Sequence, residues 1–68
     1  MKKAKWLISA DSVQYKSVLL QLKRFNCEIV SELDVVHVIV IKANEKEVLK
    51  YRNIMGILSI EKEGQVSI

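Results

Sequence analysis

The feature that most constrains this chain is a change of hydrophobic period that recurs in a fixed order along its whole length. Lys5 to Ser9 (KWLIS) is a short bulky run of strand character. Behind Asp11 the apolar residues Tyr15, Val18, Leu19 and Leu22 recur at helical spacing, and Phe25 extends the stripe. Asp11 with Gln14 three residues on reads as a capping box. Lys23 and Arg24 suit the negative end of the helix dipole, and Asn26 can stop the helix in the left-handed region. These signals predict a helix over Ser12 to Phe25. Glu28 to Leu33 then alternates polar and apolar residues as a half-exposed strand does. Leu33 and Asp34 are expected to turn into a β-branched strand over Val36 to Ile41. Asn44 with Glu47 forms a second capping box, opening a helix with Val48 and Tyr51 on one face, broken by Ile54 to Gly56. Ile57 to Lys62 alternates again.

Strand, helix, strand, strand, helix, strand is the order of two split strand–helix–strand units. With right-handed crossovers these predict an α+β fold, the ferredoxin-like βαββαβ sandwich. Its four-stranded antiparallel sheet has order 4-1-3-2, and both helices lie on one face. Val18, Leu22, Val48 and Tyr51 are the expected core against that face. The other face has no cover within 68 residues, and an uncovered apolar face is a binding surface. Third-strand residues of both parities are largely apolar, with Val36, Val38 and Val40 on one side and His37, Ile39 and Ile41 on the other. His37 and Ile39, joined by Ile57 and Ser59 of the last strand, are the expected open-face residues.

Size and charge narrow the function. A chain of 7.8 kDa is one domain, residues 1–68, with a basic end over 1–4 and an extended tail over 64–68. A domain this small buries about 60% of its unfolded surface, leaving little volume for a cofactor cleft. The net charge of +3 resides at one end, because without Lys2, Lys3 and Lys5 eight basic residues face eight acidic ones. Lys and Glu interleave through the body and form no basic face with stacking aromatics, which argues against a nucleic-acid partner. The longest apolar run, Val35 to Ile41, is interrupted by His37 and too short to span a bilayer. No signal peptide is read at MKKAKWLISAD, and the single Cys27 has no intrachain partner. If the chain is complete it is expected in the cytoplasm as a monomer; if it is cut from a precursor, it follows the parent protein.

Enzymatic and metal chemistry find little support. Cys27 and His37 are two potential metal ligands on separate strands and cannot close a tetrahedral site between them. The SADSV loop before the first helix carries no cysteine for a thiolate site and no arginine for phosphate. Ser, His and Asp are present without the spacing of a triad and its oxyanion hole. No catalytic residue, metal or cofactor is expected. Glu61 and Glu63, two apart on a strand, share one face without a substrate cleft, and solvation of an edge strand accounts for them as charges.

From Ala43 the chain reads ANEKEVLKYRNIMGILSIEKEGQVSI. This stretch resembles the C-terminal half of subtilisin propeptides and of the related stand-alone subtilisin inhibitors. Asn44-Glu45-Lys46 opens the second helix, Val48 and Tyr51 occupy its apolar positions, and Ile57 and Ile60 lie on the last strand. Glu61 and Glu63 fall on the family's acidic positions before the tail. KWLIS and VVHVIVIKA match the opening and central strands more loosely. Ile54-Met55 stand where the family often has Asp-Pro, Lys62 interrupts the acidic run, and the tail is about a residue short. The resemblance implies an inhibitor and folding assistant of a subtilisin-type serine protease, met in cis as a precursor or in trans. It implies an open sheet face packed on two protease helices, with Glu61 and Glu63 capping their N-termini. It also implies a tail, Gln65, Val66, Ser67 and Ile68, lying product-like in the active-site cleft, with Val66 in an apolar subsite. The competing expectation is a small ligand- or metal-binding regulatory module that dimerises through its open face.

Overall fold

The alternating segments settle into six elements in a computed structural model, which describes residues 3–64. They are β1 (Ala4–Ala10), α1 (Tyr15–Arg24), β2 (Glu28–Leu33), β3 (Val38–Ala43), α2 (Glu45–Tyr51) and β4 (Ile57–Lys62). The strands form one antiparallel sheet of order β2-β3-β1-β4, which read from the opposite edge is 4-1-3-2. The central pair is β3 and β1. Cross-strand partners project to the same side, so the registers Trp6↔Ile41 and Ile8↔Ile39 define one face. Trp6, Ile8, Ala10, Ile39, Ile41 and Ala43 from that face join Val18 and Leu22 of α1 and Val48 and Tyr51 of α2 in a single buried cluster. The fold is α+β, with both helices contributing to one core on one side of the sheet.

The helix ends show which local signals held. After α1, Asn26 adopts φ 58°. Its N–H reaches the Lys23 carbonyl at 3.0 Å and the Cys27 N–H reaches Leu22 at 3.0 Å, the two bonds of a Schellman stop. At α2 the capping box is complete. The Glu47 N–H donates to Asn44 Oδ1 at 2.9 Å, and the Asn44 N–H donates to Glu47 Oε1 at 3.0 Å.

At the start of α1 the expected box does not form. Asp11 Oδ1 accepts the Val13 N–H at 2.8 Å, closing a turn before the helix, which begins at Tyr15 and not at Ser12. Gln14 makes no side-chain cap bond because it packs on the Ile54–Gly56 connection. There the Asp11 N–H bonds the Gly56 carbonyl at 2.8 Å, and a Cβ on Gly56 would fall 2.5 Å from Gln14 Oε1. Tertiary contact has outweighed the local signal.

The larger correction lies in the β2–β3 hairpin. The turn takes Asp34 through His37, so β3 starts at Val38 and runs to Ala43 rather than from Val36 to Ile41. Val35 and Val36 are exposed despite their β propensity. His37 stands at φ 56°, and its carbonyl accepts the Ala10 N–H at 3.0 Å, tying the turn to the end of β1. Leu33 pairs with Val38, and a bulge between Ile29 and Ser31 restores register further along β2.

Candidate protein-binding face

The sheet face opposite the helices is built row by row from the strand registers. Leu33, Val38, Ser9 and Ser59 lie across the four strands in one row. Ser31, Val40, Leu7 and Glu61 form the next. Glu28, Lys42 and Lys5 form a third, and the Glu63 N–H reaches the Lys5 carbonyl at 2.9 Å just beyond β4. Leu7, Val38, Val40 and Leu33 therefore make an apolar patch with charges along one end and one side. Val40 is only 9% exposed yet stands outside the helix-side cluster, flanked by Leu7 and Ser31 on its neighbouring strands. Among the described residues no helix covers this face.

Several sequence expectations for this surface need correction. Ile39 is fully buried in the helix-side core, paired with Ile8. Ile57 sits opposite Ala10 and packs against that same core. His37 belongs to the hairpin turn, not to β3, and its ring meets Tyr15 edge-on at 5.6 Å between centroids. The cause is common to Ile39 and His37: once the turn claims His37 as its last residue, the face of each β3 residue is set by pairing with β1. Ser59 is exposed opposite Ser9, on the open side.

Glu61 pairs with Leu7 and lies on the open face, while Glu63 is exposed in the following turn. Lys62 alternates to the other side, where its Nζ stands 5.9 Å from the Trp6 ring centroid. Trp6 itself is anchored by its Nε1–H to the Ala43 carbonyl at 2.9 Å. Strand alternation thus sets Lys62 on the side opposite Glu61, while Glu63 falls just past the end of β4. Gly64 adopts φ 87° in open surroundings, a conformation suited to a change of chain direction. Gln65, Val66, Ser67 and Ile68 lie outside the described residues.

Cys27 and His37 flank opposite ends of β2, and no group of three or more metal-binding side chains occurs among the described residues. Burial raises the pKa of the Cys27 thiol, with contact from the Tyr51 hydroxyl offsetting part of that, so the thiolate is disfavoured. Burial also pushes the Tyr51 phenol up, aided by Cys27 and Glu47. A second polar constellation has no signal in the sequence. Tyr15 Oη donates to Asp34 Oδ1 at 2.8 Å across the helix–hairpin gap. Burial first, then that bond, then the charges of Asp34 and Glu32 push the phenol pKa up to about 12. Tyr15 reads from sequence as one more residue of an apolar stripe, and only the hairpin's closure brings Asp34 to it. Comparison with family models, curated proteins and solved structures gives no match.

Proposed function

We propose that this chain is a ferredoxin-like inhibitor, and folding assistant, of a subtilisin-type serine protease. The observation that carries the reading is the uncovered face bearing Leu7, Val38, Val40 and Leu33, bordered by Glu61. Such a surface gains most by packing against a partner's apolar elements. Helix N-termini present unpaired N–H groups and a partial positive charge, which carboxylates at Glu61 and Glu63 would satisfy. That Glu61 stands on the open face, with Lys62 turned to the other side, supports this role. Beyond Gly64, Gln65 to Ile68 would add as a strand to the protease's substrate-binding edge, with Val66 in an apolar subsite.

The test is inhibition of subtilisin cleaving a chromogenic peptide. Sub-micromolar competitive inhibition is expected. Removing Gln65 to Ile68 should abolish competition while leaving measurable binding to the protease, since the sheet face carries the affinity. The double change Glu61→Gln, Glu63→Gln should weaken inhibition by about 1–3 kcal/mol for two charge-assisted contacts, with the thermal midpoint unchanged. Absence of inhibition, together with concentration-dependent dimers in sedimentation, would instead identify the open face as a self-association surface of a regulatory module.

A further inference from the structure

On the helix side of the sheet, away from the open face, the approach to α1 and the β2–β3 hairpin stand apart. They leave a groove of about 670 Å³, within the range of small-molecule sites. One wall is apolar. Val13, Leu19 and Leu20 line it, and Val13 and Leu20 are largely exposed, at 90% and 60%. The opposite wall is acidic, lined by Glu32 and Asp34 from the hairpin. Among the described residues neither carboxylate takes part in an ion pair. Asp34 gives one oxygen to the Tyr15 hydroxyl and keeps the other. Between the walls His37, half-buried, packs edge-on against the buried Tyr15 ring. Among the described residues Lys16 is the one cation of the lining, and the two carboxylates outnumber it.

An anion placed here would meet two negative groups, and a neutral apolar molecule would leave them without a counter-charge. A cation alone would leave Val13 and Leu20 uncovered. We propose that this groove binds an organic cation: an ammonium group set between Glu32 and Asp34, carried on an apolar body that covers Val13, Leu19 and Leu20. A free amine with an aryl or long alkyl body meets both walls, whereas a lysine side chain brings a polar backbone against the apolar one. The site is separate from the open face and does not depend on the protease reading.

The experiment is an NMR titration of the whole chain at neutral pH with three probes of one skeleton, phenylbutylammonium, phenylbutanol and phenylbutanoate. Amide shifts at Glu32 and Asp34 and methyl shifts at Val13 and Leu20 are expected to move together. The ammonium should bind at least about fivefold more tightly than the alcohol, and the carboxylate more weakly than either. In the double variant Glu32→Gln, Asp34→Asn the ammonium should fall to within about twofold of the alcohol. The Asp34→Asn change retains an oxygen acceptor for the Tyr15 hydroxyl. Glu32→Gln alone, at an exposed position, covers the case in which the pair disturbs folding. Equal binding of the three probes, tighter binding of the carboxylate, or shifts centred elsewhere would overturn the proposal. So would acetyl-lysine methylamide binding as well as phenylbutylammonium, which would show that the apolar wall does nothing.

Discussion

Replacing Ile39 by Ala tests the assignment of the two sheet faces, because Val38 beside it offers a chemically similar control on the other side. Ile39 is fully buried, pairs with Ile8, and shares a cluster with Val18 and Leu22. Truncating such a residue costs about 2–5 kcal/mol through lost transfer energy and the residual cavity. At roughly 0.05–0.15 kcal/mol per residue the whole domain is stable by only about 3–10 kcal/mol. Ile39→Ala therefore removes a large share of the total, and at about 4–8 °C per kcal/mol it lowers the melting point by about 8–40 °C. Ile39→Val, which deletes one methyl, should cost about 1 kcal/mol and leave a measurable folded baseline. Val38 is half-exposed on the open face, so Val38→Ala should cost well under about 1 kcal/mol. The assay is urea unfolding followed by far-UV circular dichroism, with equal slopes required before midpoints are compared. If Val38→Ala destabilises as much as Ile39→Ala, or Ile39→Val costs nothing, the face assignment of β3 is wrong, and the surface proposed for the protease falls with it.

Gly56→Ala should lower stability by about 1–3 kcal/mol, since it adds a Cβ at φ 100° against Gln14, whereas Gly64→Ala in open space should cost about 1 kcal/mol; thermal melts of the two variants decide it. Asn44→Ala should cost about 1 kcal/mol by removing the acceptor for the Glu47 N–H, read as a shift in urea midpoint. The Tyr15 phenol is raised in the folded state, so the stability it contributes is complete below its ordinary value of 10.0 and is lost as pH climbs through about 12. Urea midpoints should therefore fall more steeply between those values for the wild type than for Tyr15→Phe, and parallel curves would show that the phenol is not perturbed.

Most of the elements were legible because local chemistry and tertiary context agreed there. The limits of β2 and β4 fall at Glu28–Leu33 and Ile57–Lys62 as read, although the β2 bulge puts Glu32 on the helix side and Leu33 on the open face, and Asn26 and the Asn44–Glu47 pair mark helix ends by hydrogen bonds that need no distant partner. The helix faces followed from spacing, and Val18, Leu22, Val48 and Tyr51 are all buried as that spacing predicts. The failures occur where a distant contact decides. Gln14 is taken by Gly56, so Asp11 caps a turn in place of the helix. Tyr15 meets Asp34 and His37 only after the hairpin has closed, and no short-range pattern encodes that meeting.

The phase of β3 is the most consequential of these, because in a strand apolar on both parities a one-residue uncertainty exchanges the two faces. Nothing local in VVHVIVIKA chooses between them. The choice is made at its start, where His37 adopts φ 56° and Leu33 pairs with Val38, and it is propagated by β1, where small Ser9 and Ala10 lie on opposite sides of the chain. The side that receives Ile39, Ile41 and Ala43 gets both helices, and the side that receives Val38, Val40 and Lys42 is left open. That open side is consequently smaller in its apolar groups than an Ile-bearing face, and it grades into a charged row at Lys5, Lys42 and Glu28. A partner fitting it must offer large apolar side chains to Leu7, Val38 and Val40 and tolerate charge at one border. This is a tighter requirement than the uncovered face alone implies.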